Sequence, residues 1–258
     1  MTPFKQTVIR SGVTPVTFVL MMFFLHNSCS CAWSISPFNN SVSTNQSIPD
    51  QGLNRARSEL EKRQYAAAVK SLTDTIKLRP DLAEAYYLRA RSLDMMGQPM
   101  RALKDINKYI ELKPQDPKGY VLKGDINNFN LDHREALENY SLALKLDSRM
   151  VNARVGRGLA YAALEKYDLA IKDYEEVIKE NKHHHEALSN LGMALALSGR
   201  TEEAIQKLSD ALALERDLDW RSRLKKLIDE ISQALPGSYQ QNKWPSGKAP
   251  NQIREKPW

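Results

Sequence analysis

Small and large apolar side chains recur every 34 residues between positions 49 and 218. Within this frame, places 8 and 20 hold only Ala or Gly, and places 21, 24 and 28 hold mainly large apolar residues. The small residues are Ala56, Ala90, Gly124, Gly158 and Gly192 at place 8, and Ala68, Ala102, Ala136, Ala170 and Ala204 at place 20. Because places 20, 21, 24 and 28 have helical spacing, they form one apolar stripe. Five units in register predict a stack of similar supersecondary elements.

Each unit is predicted to contain two antiparallel helices. The small side chains at places 8 and 20 allow these helices to approach closely, because a bulky side chain would hold them apart. Gly97 and Gly199 mark turns between paired helices, where Gly readily adopts the left-handed conformation. Pro80 and Pro114 end the second helices of the first two units, because Pro cannot donate the next backbone hydrogen bond.

This pattern resembles the tetratricopeptide repeat family over residues 49–218. The family favours small residues at places 8, 20 and 27, a large residue at place 24 and Pro at place 32. Place 27 matches in part, and Pro is absent from place 32 of the last three repeats. The resemblance implies an all-α fold, a right-handed superhelical solenoid of five tandem helix-turn-helix repeats. The expected repeats are 49–82, 83–116, 117–150, 151–184 and 185–218. Glu59 stands where a large apolar residue is expected, which suits an atypical terminal repeat.

One further helix is predicted over residues 219–235. Its apolar face comprises Leu224, Leu227, Ile228, Ile231 and Leu235, and its other face carries Arg221, Arg223, Lys225, Lys226 and Asp229. We interpret it as a capping helix that covers the exposed end of the stack. Pro236 and Gly237 end this helix, and residues 236–258 are expected to form a disordered basic tail.

The start of the chain has the features of a targeting segment. Lys5 and Arg10 precede an apolar run over residues 13–25, and no acidic residue occurs before Asp50. A basic region followed by a short apolar region predicts a secretory signal. The run is short for a membrane span, which needs about 20 apolar residues. We therefore expect residues 1–32 to be a signal peptide or an anchor.

Cleavage after Ala32 would leave a disordered Ser/Asn-rich linker over residues 33–48. An uncleaved membrane anchor, a lipidated Cys29 and an organelle transit peptide are the alternatives. The expected location is thus secreted, periplasmic or membrane-anchored, with organelle targeting as the alternative. Membrane association would depend on the N-terminal segment.

Composition adds several exclusions. The formal net charge is +6, from 37 basic and 31 acidic residues, and the two signs are interspersed as on solvated helix faces. No basic block or base-reading motif favours nucleic-acid binding. Both cysteines, Cys29 and Cys31, precede the repeats, so the repeats contain neither a disulfide nor a thiolate metal site. No motif for catalysis or for a cofactor is recognisable, which argues against an enzyme.

His183, His184 and His185 form a run between the fourth and fifth repeats. Adjacent side chains cannot all point inward, and a metal site would need further ligands. A solvated turn is therefore the expected structure, and no metal site is predicted.

Charged residues at places 7 and 23 vary together. Arg89 and Arg157 stand at place 7 of the second and fourth repeats, where place 23 holds Asp105 and Asp173. Where place 7 becomes Leu191, place 23 carries no acid. We predict ion pairs Arg89–Asp105 and Arg157–Asp173, each joining the two helices of one repeat.

The family resemblance implies that the first helix of each repeat lines a concave groove through places 2, 5, 6, 9, 12 and 13. The candidate partner-binding residues are Arg57, Tyr87, Arg91, Met95, Lys118, Val121, Asp125 and Phe129. Tyr87, Met95 and Phe129 are the expected apolar anchors. The alternative is that some of them pack against neighbouring repeats or are covered by the capping helix.

Related repeats that hold the acidic C-terminal tails of chaperones use five defined polar positions. The corresponding residues are Leu53, Arg57, Leu88, Lys118 and Leu122, and only Lys118 matches. The hypothesis is therefore a non-enzymatic scaffold or adaptor that binds another protein, a peptide or a partner helix in the groove. The alternative is a structural subunit of an envelope or organelle assembly, held by its convex face, capping helix or tail.

Overall fold

The computed structural model describes residues 48–233, and this part of the chain contains eleven α-helices and no strand. In chain order they are α1 Ile48–Glu61, α2 Tyr65–Leu78, α3 Ala83–Met95, α4 Pro99–Leu112, α5 Pro117–Phe129, α6 His133–Leu146, α7 Val151–Ala163, α8 Tyr167–Glu180, α9 His185–Leu197, α10 Thr201–Leu214 and α11 Leu218–Gln233. The predicted all-α fold class is confirmed. The predictions for residues 1–47 and 234–258 lie outside the described residues.

The helices belong to two compact units that divide after Lys182. In the first unit, α1 to α8 form four antiparallel hairpins, and the second helix of each of the first three also packs against the first helix of the next. These hairpins are the predicted repeats one to four. In the second unit, α9 and α10 form the fifth hairpin, and α11 packs against α10. The first repeat begins one residue earlier than expected, because Ile48 already belongs to α1.

The small residues at places 8 and 20 lie where paired helices touch. All seven Ala among them have no exposed surface, for example Ala90 and Ala102 in the second repeat. In the third repeat a Cβ added to Gly124 would lie 2.7 Å from Cε1 of Tyr140, and in the fourth a Cβ at Gly158 would lie 2.6 Å from Cε1 of Tyr174. Gly therefore replaces Ala at these two positions because a facing tyrosine ring occupies the space that a methyl group would need.

The turn between paired helices has the same conformation in all five repeats. The residue at place 15 has a positive φ in each: 56° at Arg63, 67° at Gly97, 67° at Leu131, 59° at Glu165 and 85° at Gly199. The predicted turns at the two glycines are confirmed. The other three repeats hold a side chain in the left-handed region, which disfavours residues with a Cβ atom. The second helices α2 and α4 end two residues before Pro80 and Pro114, as predicted.

The last helix, interpreted from the sequence as a capping helix, packs against α10. Leu224, Leu227 and Ile231 are buried in the second unit. Arg221, expected on the solvated face, instead donates from Nη1 to the carbonyl oxygens of Leu212 and Glu215, at 2.9 and 2.8 Å. The guanidinium group thus satisfies carbonyl groups at the C-terminal end of α10 and fixes the connection to α11.

Both predicted ion pairs are present and bidentate. Arg89 donates to the two carboxylate oxygens of Asp105 at 2.7 and 2.8 Å, and Arg157 donates to those of Asp173 at 2.8 and 2.6 Å. The aspartate side chains are only 7% and 8% exposed. Arg89 also donates to Oγ1 of Thr73 in the preceding repeat, at 3.1 Å. Each pair joins the two helices of its repeat, and Arg89 adds a contact between repeats.

The first repeat makes the same connection with different residues. Glu59 is buried and accepts hydrogen bonds from Nε of Arg55 at 3.0 Å and from Oγ of Ser71 at 2.8 Å. Ser71 stands at place 23, so the acid has moved from the second helix to the first. Glu59, which looked out of place in the sequence, therefore has a structural role in joining α1 to α2.

Replacing Leu131 by Gly is expected to raise the free energy of unfolding by about 0.5–1 kcal/mol, because Gly adopts the left-handed conformation without steric strain. The matched control is Gly97→Ala, which introduces the same strain elsewhere and should lower stability by about 1 kcal/mol. No atom lies within 4 Å of a Cβ at Gly97, so steric overlap does not contribute. Urea denaturation measures both changes, and equal signs for the two variants would contradict this account.

Asp105→Ala is expected to lower the free energy of unfolding by about 2–3 kcal/mol, because it leaves the largely buried Arg89 guanidinium without its carboxylate. The control is Asp74→Ala, which removes an exposed ion pair with Lys77 on α2 and should leave stability nearly unchanged. Denaturant titration of the two variants tests the difference. Similar losses in both would show that the bidentate pair adds little.

Candidate functional site

The candidate groove residues differ widely in exposure. Met95 on α3 and Phe129 on α5 are 48% and 51% exposed, large fractions for apolar side chains. Lys118 is also exposed, and Arg57, Arg91 and Asp125 are half-buried. Six of the eight candidates thus have surface that a partner could contact.

Two candidates are buried instead. Tyr87 is 7% exposed and Val121 is 4% exposed. The assignment of Tyr87 as an exposed anchor is corrected, because its ring packs against that of Tyr109 with centroids 5.1 Å apart. The alternative, packing against a neighbouring repeat, fits Val121, whose buried cluster includes Ala153 and Ala160, whereas Tyr109 belongs to the same repeat as Tyr87. Among the expected anchors, exposed apolar surface remains at Met95 and Phe129.

The two tyrosines lie beside a group of charged residues. Burial raises the pKa of the Tyr87 hydroxyl above its usual value, with Arg91 opposing the shift and Asp125 reinforcing it. The Tyr109 hydroxyl donates to Oδ2 of Asp116 at 2.6 Å, and Oδ1 of the same carboxylate accepts from the backbone N–H of Lys118 at 3.0 Å. Asp116 therefore caps α5 and ties it to α4, which fixes the first helix of the third repeat.

Two of the candidate residues, Arg57 and Asp125, make polar contacts with residues outside the candidate set. Arg57 on α1 lies 3.7 Å from Oε1 of Glu84 on α3, an ion pair between the first and second repeats. Asp125 on α5 accepts a hydrogen bond of 2.7 Å from the hydroxyl of Tyr140 on α6. Tyr140 was not among the predicted site residues, because place 24 lies on the second helix, outside the groove positions of the family. Gly124 at place 8 of the same repeat could have indicated it, because a glycine there leaves room for the facing tyrosine ring.

Exposed apolar side chains concentrate at the turns of the second and third repeats. Met95, Met96 and Met100 lie around the first of these turns, and Phe129 and Leu131 lie at the second. Their exposure ranges from 38% at Met96 to 77% at Met100. Groups of exposed apolar residues with polar surroundings are typical of surfaces that bind other proteins. Met side chains also adapt to partners of different shape.

Asp94 is a half-buried acid that precedes Met95 on α3. Burial raises the pKa of its carboxyl group to about 6. The charged form is disfavoured because the site removes water without supplying an opposite charge. The ionised carboxylate of Asp94 is therefore less favourable in the folded chain than in water.

The histidine run lies in the second unit, and only part of it forms the predicted solvated turn, because His184 caps α9 and His185 begins that helix. His183 and His185 are exposed, but Nδ1 of the half-buried His184 accepts a hydrogen bond from the backbone N–H of Ala187 at 3.2 Å. His184 thus caps α9, and burial lowers its pKa. Nδ1 of His185 lies 3.4 Å from Oε2 of Glu215. Within residues 48–233, no group of three or more His, Cys, Asp or Glu side chains could hold a metal ion.

A family model described as tetratricopeptide repeat matches residues 53–117, 130–174 and 155–218. The chain belongs to the tetratricopeptide repeat family. This confirms the resemblance seen in the sequence, and it identifies the hairpins as repeats used as scaffolds for protein–protein interaction. None of the helices in residues 48–233 is long and apolar enough to cross a membrane.

The curated relatives match part of the chain. The Hsp70-Hsp90 organizing protein of Triticum aestivum is 31% identical over 100 residues, which cover 39% of this chain and 17% of the relative. Tetratricopeptide repeat protein 13 of Homo sapiens is 28% identical over 127 residues, which cover 49% of this chain and 15% of the relative. The chain therefore spans less than a fifth of the length of these relatives.

Solved structures share the fold over a larger part of the chain. TTC0263, a thermophilic tetratricopeptide repeat protein of Thermus thermophilus, matches with a TM-score of 0.59 and 22% identity, covering 70% of this chain and 98% of that chain. YrrB, described as having an unusual peptide-binding site, matches with a TM-score of 0.55 and 19% identity, covering 68% of this chain and 90% of that chain. At this level of identity the likeness shows the fold.

Asp94→Asn is expected to stabilise the protein by about 1–2 kcal/mol at pH 7. The folded-state pKa of about 6 exceeds the reference value of 3.8, so the native state binds the proton more tightly and wild-type stability falls as pH rises between those values. The advantage of the variant should therefore vanish below pH 4. Urea denaturation at pH 4 and pH 7 measures it, with Asp168→Asn as an exposed control. An equal difference at both pH values would contradict the burial effect.

Proposed function

We propose that the protein is a non-enzymatic adaptor whose first three repeats bind an extended peptide or a partner helix. The observation that carries this proposal is the exposure of Met95 and Phe129, which occupy the same place in consecutive repeats. Large side chains that stay half-exposed on rigid helices provide apolar anchor points for a partner. The partner is a protein or peptide, and nucleic acid is not expected.

Charged residues would set the specificity of this surface. Arg57 and Glu84 are each 37% exposed and bring both signs to the first two repeats. Lys118 is exposed and Asp125 half-exposed on the third. A partner with alternating apolar and charged residues suits such a surface, because charge complementarity selects among peptides that the apolar anchors would bind equally.

The partner should differ from the acidic tails of chaperones. At three of the five polar positions that hold such tails, this chain has leucine: Leu53, Leu88 and Leu122. They are 8%, 6% and 3% exposed, so these positions form the core. A fourth, Arg57, is paired with Glu84. Similarity to Hsp70-Hsp90 organizing proteins therefore does not make Hsp70 and Hsp90 the expected partners of this chain. The fold does not require the chaperone-tail mode, because YrrB, which shares the fold, is described as having an unusual peptide-binding site.

The location proposed for this adaptor is outside the cytoplasm or at a membrane, with an organelle as the alternative. The support is the basic and apolar pattern of residues 1–32. N-terminal sequencing of the protein from its native host tests this proposal. A mature chain that begins at Trp33 would support cleavage of a signal, and an intact N-terminus recovered from a soluble fraction would contradict export.

Phe129→Ser and Met95→Ser together are expected to weaken peptide binding at least about 30-fold, because apolar hot-spot side chains contribute most of the affinity of an interface. The peptide is selected from a displayed library of random 16-residue peptides on the immobilised full chain, and its affinity is measured by fluorescence anisotropy. The matched control is Leu142→Ser, which removes an equally exposed apolar side chain from the second helix α6.

Three results would count against peptide binding in the groove. Failure to select any peptide, unchanged binding in the double variant, or equal weakening in the control would each contradict it. Deletion of residues 236–258 distinguishes the alternative of a structural subunit held by its tail. Circular dichroism of each variant confirms that the helices are retained.

A further inference from the structure

Tyr140 lies on the second helix of the third repeat, yet its hydroxyl group reaches the layer of first helices. The side chain is 1% exposed, and its hydroxyl donates to Oδ1 of Asp125 at 2.7 Å. Asp125 is half-buried at place 9 of α5, one of the groove positions of the family. A residue from outside the groove therefore contacts a groove carboxylate directly.

Two glycines leave open the space that the Tyr140 side chain occupies, and we call this space the passage. A Cβ at Gly124 on α5 would lie 2.7 Å from Cε1 of Tyr140. A Cβ at Gly156 on α7 would lie 2.5 Å from Cζ and 2.8 Å from the hydroxyl oxygen. Separations this short are forbidden between non-bonded atoms, so the hydroxyl reaches Asp125 only because both positions lack a side chain. At the place of Gly156, the second and third repeats carry Leu88 and Leu122.

The hydrogen bond constrains how the carboxylate faces the groove. An ionised carboxylate has about four acceptor sites on its two oxygens, so it can accept from Tyr140 and from further donors at once. A bond from a fully buried hydroxyl limits the rotation of the Asp125 side chain. A group held in its binding orientation loses less conformational entropy when a partner arrives. A negative group presented in this way suits a Lys or Arg side chain.

We propose that Tyr140 is a positioning residue that orients Asp125 to receive a Lys or Arg side chain of the bound peptide. This inference rests on the proposed function and names one element of its specificity. The fourth repeat provides a contrast, because Tyr174 occupies the equivalent place but place 9 holds Leu159, which offers no carboxylate. The contact between the tyrosine at place 24 and a carboxylate at place 9 therefore belongs to the third repeat.

The test compares Tyr140→Phe, which keeps the ring in the passage and removes only the hydroxyl, with Asp125→Asn. The probes are the tightest peptide from the display selection and the same peptide with its Lys and Arg residues replaced by norleucine. Each substitution should weaken binding of the cationic peptide about fivefold to tenfold, and the double variant no further. Affinity for the norleucine peptide, measured by competition, should be the same in all variants.

Tyr174→Phe is the matched control and should leave both affinities unchanged. If Tyr140→Phe weakens the two peptides equally, or if both tyrosine variants behave alike, Tyr140 has only a structural role and the inference is overturned. Selected peptides that lack Lys and Arg would overturn it as well. If Phe129→Ser weakens binding and Tyr140→Phe does not, this inference fails while the proposed function stands. If neither weakens binding, the proposed function fails.

Discussion

The structure depends on one steric constraint, the close approach of paired helices at places 8 and 20 of each repeat. Ala90 and Ala102 are completely buried there, and at Gly124 even a methyl group would overlap with Tyr140. When backbones approach this closely, the larger side chains at places 21, 24 and 28 can interlock on either side of the contact. The pairing of the two helices in each repeat, and with it the position of the first helix, depends on this contact.

Much of the fold could be predicted because its signals are periodic. The 34-residue spacing predicts five hairpins, and the joint variation of places 7 and 23 predicts both ion pairs, which the structure shows to be bidentate. The exception was the first repeat, where Glu59 takes the role of an acid at place 23. A single buried carboxylate leaves no periodic pattern in the sequence, so its hydrogen bond with Ser71 could not be predicted.

The candidate site was less predictable because the groove positions of the family include places that are buried in this chain. Tyr87 and Phe129 were assigned to the same groove, but the first packs on Tyr109 and the second is half-exposed. The difference follows their places in the repeat: Tyr87 stands at place 5, which is buried in all five repeats, and Phe129 stands at place 13, at the end of its helix. Tyr140 was missed for a related reason, since its contact with Asp125 needs a glycine from the next repeat.

The passage for Tyr140 has a consequence for how such a chain can evolve. In arrays of this kind each repeat contacts only its neighbours, so a repeat can be moved only to a position where the new neighbours fit it. The third repeat has a specific requirement, because the fourth repeat must supply a glycine at place 6, where Gly156 stands. A shuffled copy with leucine there would collide with the phenol ring. The third and fourth repeats therefore form a sterically matched pair, and neither keeps this contact beside a different neighbour.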